Sequence, residues 1–166
     1  EAPITRWEDL TDWRRLQSTI GSGPGNWFRL QEVDIVIRPW ILRRECIERV
    51  GALDEAFRPT EWDEADLAYR IRQAGWKVLF TPDAEFTHVG GATTKKTWGP
   101  MFREQVRGHI RFLDKHRGRR EAERARRMLQ VSLRARGWVF PGDRGRTYAE
   151  TARWLASSSV EELLAR

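Results

Sequence analysis

Residues 57–91, FRPTEWDEADLAYRIRQAGWKVLFTPDAEFTHVGG, contain the pattern that says most about the fold. Leu67 and Ile71 recur at helical spacing directly after a run of acidic residues, which predicts a helix with an acidic N-terminus. Gly75 ends this helix, because glycine readily adopts the positive φ of a C-terminal cap. Residues 76–80 then have the aromatic and β-branched content of a short buried strand. The stretch therefore predicts a helix followed by a strand.

Four carboxylates lie within six residues at the start of this helix: Glu61, Asp63, Glu64 and Asp66. Asp63 as the N-cap with Asp66 three positions later is a variant of the capping box, and the helix dipole stabilises negative charge there by about 0.3–1 kcal/mol. Capping accounts for one or two of them but not for four, because adjacent like charges repel and raise one another's pKa. Such carboxylates are typical of acid–base or metal sites, so a structural and a functional role both stay open.

An ordered series of short motifs runs through residues 33–92. Its members are Arg43-Arg44-Glu45, Val50-Gly51, Leu53-Asp54-Glu55, Phe57, Asp63-Glu64-Ala65-Asp66-Leu67, Arg70, Ala74-Gly75-Trp76-Lys77-Val78 and His88-Val89-Gly90-Gly91. In this order they resemble the C-terminal, acceptor-side half of the catalytic domain of glycosyltransferase family 2. This family comprises nucleotide-sugar transferases of the GT-A type, and the likeness is strongest to its rhamnosyltransferase-like members. The order of the motifs is much more specific than any one of them.

The resemblance implies an α/β chain with a partial GT-A fold: a short mixed sheet with flanking helices and a helical C-terminal extension. Residues 1–100 would form the C-terminal half of the catalytic domain, and residues 101–166 would form a basic helical extension packed on it. Two positions depart from the family pattern. Glu64 stands where the family usually has an aspartate, and residues 37–40, IRPW, replace a small glycine-containing turn.

The activity implied is that of an inverting glycosyltransferase of hexosyl or rhamnosyl type. It would move a sugar from a nucleotide-sugar donor to a polysaccharide, lipid-linked or other cell-envelope acceptor. Such a transfer needs a base for the acceptor hydroxyl and positive charge for the departing diphosphate. Glu64 is the expected general base, with Asp63 as the alternative and Asp66 in an orienting or capping role. The residues expected to bind substrate are Glu61, Trp62, Arg70, Trp40 and Lys95.

The resemblance also implies a divalent cation, Mg²⁺ or Mn²⁺, in the complete enzyme. In the family an Asp-x-Asp motif of the N-terminal half holds it, and no such half is recognisable in these 166 residues. The chain is therefore expected to be incomplete as an enzyme, and not to bind the metal by itself. His88 is the candidate metal ligand, and a turn-stabilising histidine is the alternative. Lys95 or Lys96 could meet a pyrophosphate, and a solvated loop is the alternative for both.

Composition indicates a globular chain, with 40% hydrophobic and 33% charged residues. Cys46 is its single cysteine, which fits a reducing compartment, and the apolar pattern around it predicts a buried thiol. No apolar run approaches the roughly 20 residues of a membrane span. The expected location is the cytoplasm, with the cytoplasmic face of the membrane as the alternative. The first residue is Glu1 rather than methionine, which suggests a fragment.

The net charge of +6 is unevenly distributed, since residues 101–166 hold 16 Lys and Arg against 8 Asp and Glu. Within residues 119–136 arginines surround an apolar stripe of Ala122, Ala125, Leu129 and Leu133. Such a basic helix could make peripheral contact with an anionic membrane, although a solvated charged face is more usual. A nucleic-acid-binding module is a competing function, but the tryptophans do not alternate with the arginines and no specific nucleic acid is expected. The third hypothesis is a non-catalytic remnant of the transferase fold.

The remaining elements follow from periodicity and turn chemistry. Ser159 and Glu162 have capping-box spacing at the start of the last helix. Gly118 is predicted to be a hinge, and residues 138–142 a turn. The other expectations are a helix over 7–20, a connector over 21–25, a strand over 33–37, a helix over 44–50 capped by Gly51, a turn over 53–57, and helices over 102–116, 119–136, 147–156 and 159–165.

Overall fold

The computed structural model describes residues 30–35, 39–60, 62–85 and 98–165. The chain divides into two compact units. The first unit comprises Glu1–Glu55 and Asp63–Val89, and the second comprises Ala56–Trp62 and Gly90–Arg166. The helix expected over residues 7–20 and the connector expected over 21–25 lie outside the described residues. The assignment of residues 1–100 to a catalytic half and 101–166 to an extension stays a prediction.

A short antiparallel sheet lies in the first unit. Strand β1, Gln31–Glu32, pairs with strand β2, Leu79–Phe80, so that Gln31 lies opposite Phe80. The N–H of Val33 also donates to the carbonyl oxygen of Val78 at 2.9 Å. The sequence predicts a strand that begins at Val33, whereas the observed strand begins two residues earlier, at Gln31. Register depends on the partner strand, and the apolar run alone does not determine it.

Two helices complete the described part of the first unit. Helix α1, Arg44–Val50, has the bounds that the sequence predicts and ends at Gly51 with φ 81°. Helix α2, Trp62–Gln73, is followed by Gly75 with φ 85°, which confirms the predicted stop. A small apolar core lies between these helices. Its buried members are Cys46, Leu67 and Ile71, and the side chains packed on it are Trp40, Ile47, Val50, Leu53, Trp76 and Val78. The prediction of a buried Cys46 thiol is confirmed.

The second unit is mostly helical over its described residues. It contains helices α3 (Trp98–Arg117), α4 (Arg119–Val139), α5 (Gly142–Ser157) and α6 (Val160–Leu164). Helix α4 packs against the other three. The largest aliphatic side chains of its core are fully buried, namely Ile110, Leu133, Leu155, Val160 and Leu163. A short 3₁₀ turn, Glu55–Phe57, stands where the sequence predicts a turn.

Local signals set the helix ends of this unit. Gly118 separates α3 from α4 with φ 86°, as predicted for a hinge. The Oγ of Ser159 accepts from the N–H of Glu162 at 3.2 Å, and the Glu162 carboxylate accepts from the N–H of Ser159 at 2.7 Å. This confirms the capping box, and the bond from the Ser159 N–H lowers the pKa of Glu162.

The end of α4 differs from the prediction. A turn is expected from Trp138, but the helix continues through Gly137 to Val139. A Cβ on Gly137 would lie 3.0 Å from the Cβ of Ala149 on α5. This glycine therefore allows two helices to approach closely and does not end a helix.

Helices predominate over the described residues, and β1 and β2 form the one sheet found among them. This two-stranded antiparallel sheet does not decide whether the chain has a GT-A fold, so that fold class stays a prediction. Across the described ranges, no helix has both the length and the apolar content needed to cross a bilayer.

Candidate functional site

The acidic residues at the start of α2 are buried, with 3% of Asp63, 2% of Glu64 and none of Asp66 exposed. The helix begins at Trp62, so Asp63 lies in its first turn and not at the predicted N-cap position. A carboxylate oxygen of Asp63 accepts from the backbone N–H of Glu64 at 2.8 Å. Asp63 therefore still stabilises the helix start, because it accepts from one of the N–H groups that have no partner within the helix.

Asp66 pairs with Arg70 across one turn of α2. The Nε of Arg70 lies 2.8 Å from Oδ2 of Asp66. The same guanidinium donates to the carbonyl oxygens of Val50 and Ala52, the latter at 2.7 Å. Arg70 thus connects α2 to the end of α1 and the turn after it. These contacts give both predicted site residues a structural role in the first unit.

Glu64 lines a cavity of about 520 Å³ that lies within the first unit. Among the described residues of its lining, Glu64 is the one carboxylate. The walls are mostly apolar and include Leu67, Ile71 and Trp76. Ile41, also in the lining, is fully exposed, so the cavity opens to solvent. An apolar pocket with a few polar groups is the usual form of a small-molecule site.

Trp40 lines the same cavity, so the structure brings together two residues that the sequence assigned to catalysis and substrate binding. Arg43, Trp76 and Lys77 also line it, although the sequence interpretation gave them no role. All three lie inside the quoted motifs, and this is the signal that could have identified them. Lys77 also forms an exposed ion pair with Glu32 at 3.1 Å.

Trp62, the first residue of α2, belongs to the second unit, whereas the rest of that helix belongs to the first. The Trp62 ring stacks on that of His109 with centroids 5.0 Å apart and planes 3° from parallel. Phe112 contacts the same ring at 5.6 Å. A Cβ on Gly108 would lie 2.4 Å from the Trp62 ring, so this close packing requires a glycine. Burial lowers the pKa of His109 to about 4, and its imidazole is neutral at pH 7.

The predicted metal ligand cannot be placed, since His88 lies outside the described residues, as do Glu61 and Lys95. Over the described ranges, no group of three or more His, Cys, Asp or Glu residues could hold a metal ion. Asp66 is paired with Arg70, which leaves the acids of α2 poorly suited to forming such a group. The described residues therefore do not fit a metal, and none of the chemistry below depends on one.

Comparisons with protein-family models, with curated proteins and with solved structures find no match. The family likeness consequently depends on the motifs quoted above. The cavity and its single described carboxylate are an observation independent of those motifs.

Proposed function

We propose that this chain is the acceptor-side part of a family 2-like glycosyltransferase. The substrates would be a nucleotide-sugar donor and a glycan or lipid-linked acceptor of the cell envelope. The observation that supports this most is the position of Glu64, a buried carboxylate in the wall of an open, largely apolar cavity. The order of the motifs suggests the reaction class, and a cavity with a carboxylate in its wall supports the proposal.

Glu64 would act as the general base. As the acceptor oxygen attacks the anomeric carbon of the donor, its proton passes to the Glu64 carboxylate. The bond from that carbon to the diphosphate oxygen breaks, the bonding electrons leave with the diphosphate, and the configuration inverts. Proton transfer by a positioned side chain typically contributes about 10²–10⁴-fold to a rate. A glutamate can do this in place of the family's aspartate, with its carboxylate one methylene further from the backbone.

The contacts of the neighbouring acids favour Glu64 over them. The Asp63 carboxylate accepts from the backbone of its own helix, and Asp66 forms an ion pair with Arg70. Both side chains thus have local structural tasks. Of these three acids, Glu64 is the one that lines the cavity, where a bound alcohol could come within hydrogen-bond reach.

The rest of the cavity suits a sugar-containing ligand. Trp40 and Trp76 provide flat apolar surface, and Arg43 and Lys77 provide positive charge for an anionic donor. In the complete enzyme a divalent cation would further neutralise the diphosphate. We propose the cytoplasm, or the cytoplasmic face of the membrane, as the compartment, which agrees with the single free thiol of Cys46.

The test is an assay of the longest native polypeptide that contains this sequence. A panel of nucleotide-sugars is supplied with glycan and lipid-linked acceptors, and release of nucleoside diphosphate is measured. We expect release with at least one donor, and we expect the 166-residue chain alone to be nearly inactive. If the native polypeptide consumes no donor, the transferase proposal is wrong. If the isolated chain is fully active, the assignment of only the acceptor-side half is wrong.

A further inference from the structure

Helix α4 carries two apolar stripes, and only one of them is buried. The buried stripe includes Ala122, Ala125 and Leu133, which contribute to the core of the second unit. The sequence analysis considered this stripe for membrane contact. In the structure, other helices of the second unit cover it. The second stripe is Met128, Val131, Ala135 and Trp138, with spacings of three, four and three residues, and all four side chains are exposed.

The exposed stripe ends in an aromatic and aliphatic cluster. Trp138 is 84% exposed and Val139 is 74% exposed, and the partly exposed Phe140 follows the helix. Val131, seven residues before Trp138 on the same helix, is 69% exposed. Single exposed apolar residues need no explanation, but a continuous apolar surface of this kind usually marks an interaction site.

A row of arginines borders this stripe. Arg120, Arg127 and Arg134 recur every seven residues, so they lie on one side of the helix, and all three are exposed. Three other arginines of α4, Arg119, Arg124 and Arg126, form ion pairs within the protein. Arg126, for example, contacts Glu123 at 3.0 Å and the carbonyl oxygen of Leu155 at 2.5 Å. The row therefore adds positive charge directly beside exposed apolar side chains.

We propose that this face of α4 binds the surface of a membrane that contains anionic lipids. The helix would lie parallel to the surface, with Trp138 and Val131 in the interfacial layer and the arginine row over lipid phosphates. An aromatic and aliphatic stripe beside a basic row is the pattern of an interfacial helix, and tryptophan is favoured at the level of the headgroups. The proposal does not depend on the glycosyltransferase assignment.

The charges argue against a second copy of this chain as the occupant. Residues at spacings of three and four could form a helix–helix seam, in which the flanking positions set the pairing. One flank holds Arg127 and Arg134, and the other holds Ser132 and Val139. The acid on the side of Val139 is Glu121, which already pairs with Arg124 of its own helix at 3.8 Å, and an antiparallel pair would bring the arginines of the other flank together. The phosphates of an anionic lipid surface can pair with the same arginines.

The phosphates of a nucleic acid could also pair with the arginines, but nucleic-acid binding would give the exposed apolar stripe no role. Phosphate contacts account for most non-specific nucleic-acid binding and need cations only. Removal of Val131 and Trp138 side chains should then have little effect. Binding to a lipid surface instead depends on both the arginine row and the apolar stripe. The two kinds of partner therefore differ in their response to substitution of the apolar side chains.

The experiment measures sedimentation of the 166-residue protein with vesicles of phosphatidylcholine, alone or mixed equally with phosphatidylglycerol. We expect binding to the mixed vesicles and much weaker binding to phosphatidylcholine. Replacing Arg120, Arg127 and Arg134 by glutamine should lower the partition coefficient on the order of 100-fold, at about fivefold for each cation. Val131→Ser combined with Trp138→Ala should lower it about tenfold, through loss of buried apolar area.

A matched variant separates the stripe from net charge. Arg44, Arg49 and Arg153 are exposed arginines of α1 and α5, and their replacement by glutamine removes the same total charge. We expect this variant to keep most of its binding. An equal loss in both arginine variants would overturn the proposal, since binding would then follow overall charge. So would binding to DNA without vesicle binding, or a concentration-dependent dimer that Trp138→Ala dissociates while vesicles do not bind.

Discussion

The Nε of Arg70 lies 2.8 Å from Oδ2 of Asp66, a side chain with no exposure to solvent. The other end of the same guanidinium donates to carbonyl oxygens that follow helix α1. One side chain thus joins the two helices between which the core of the first unit lies. It also fixes the helix that carries Glu64, so the geometry of the candidate site depends on this ion pair.

Substitution of Arg70 by alanine should be strongly destabilising. It would leave the Asp66 carboxylate buried without this cation, and breaking such a pair typically costs about 3–5 kcal/mol. Arg70 is 20% exposed, so we expect about 3 kcal/mol in the free energy of unfolding, measured by urea denaturation. Lys77→Ala is the control, because its ion pair with Glu32 is largely exposed and worth at most about 1 kcal/mol.

The double substitution Asp66→Leu with Arg70→Met tests whether the loss of stability comes from an uncompensated buried charge. Replacing both partners by apolar residues of similar size leaves no uncompensated charge, so much of the lost stability should return. The account of this contact is wrong if Arg70→Ala unfolds at the same urea concentration as the wild-type protein.

Gly108→Ala should destabilise the second unit. The added methyl group would lie 2.4 Å from the Trp62 ring, so the ring must move from its stack on His109. Overpacking of this kind costs about 1–3 kcal/mol. Gly99→Ala on the same helix is the matched control, since its Cβ would lie 3.6 Å from a Thr147 side-chain atom. We expect the control to be neutral or slightly stabilising, and equal thermal stability of the two variants would contradict the packing described.

The stability of the second unit should fall as the pH is lowered from about 6.5 to 4. Burial lowers the pKa of His109 to about 4, so between these values the unfolded chain binds a proton that the folded chain does not. The full effect is on the order of 3 kcal/mol, and it is absent above pH 7. Urea denaturation at several pH values measures it. His109→Gln should reduce the slope in this range, and a slope unchanged by that substitution would contradict the assignment.

The thiol of Cys46 can report whether the cavity admits small molecules. Cys46 lines the cavity, and it is the single cysteine of the chain. We expect methyl methanethiosulfonate to modify it faster than the protein unfolds, at a rate that is independent of urea at low concentrations. Ala68→Phe should slow the reaction, because Ala68 also lines the cavity and the ring would narrow it. A rate that instead follows global unfolding would show that the cavity is closed.

Local features of the fold were predictable from the sequence. The bounds of α1, the positive φ of Gly75 and the capping box of Ser159 each depend on residues close together in the chain. Capping and turn chemistry require few residues, and so they leave a short and specific pattern. Trp40 and Glu64 were both predicted to be site residues, but the sequence did not predict that they line a common cavity.

Features that depend on distant residues were not predictable. The sequence does not show that Arg70 contacts the carbonyl oxygen of Val50, 20 positions earlier, or that Gly108 packs against Trp62. The sequence predicts a turn from Trp138, but it does not show that Gly137 allows the close approach of α5. The exposed stripe of α4 also required the structure, because periodicity alone cannot tell which of two apolar stripes is buried.

The central claim is that Glu64 accepts the proton of the acceptor hydroxyl, and the most direct test compares Glu64→Gln with Asp63→Asn in the native polypeptide. Initial rates of nucleoside diphosphate release are measured at saturating donor and acceptor. We predict that Glu64→Gln lowers kcat by at least about 100-fold with an unchanged thermal midpoint, since the substitution is isosteric and removes the base. Asp63→Asn should reduce kcat far less. A Glu64→Gln enzyme with the wild-type kcat would contradict the account.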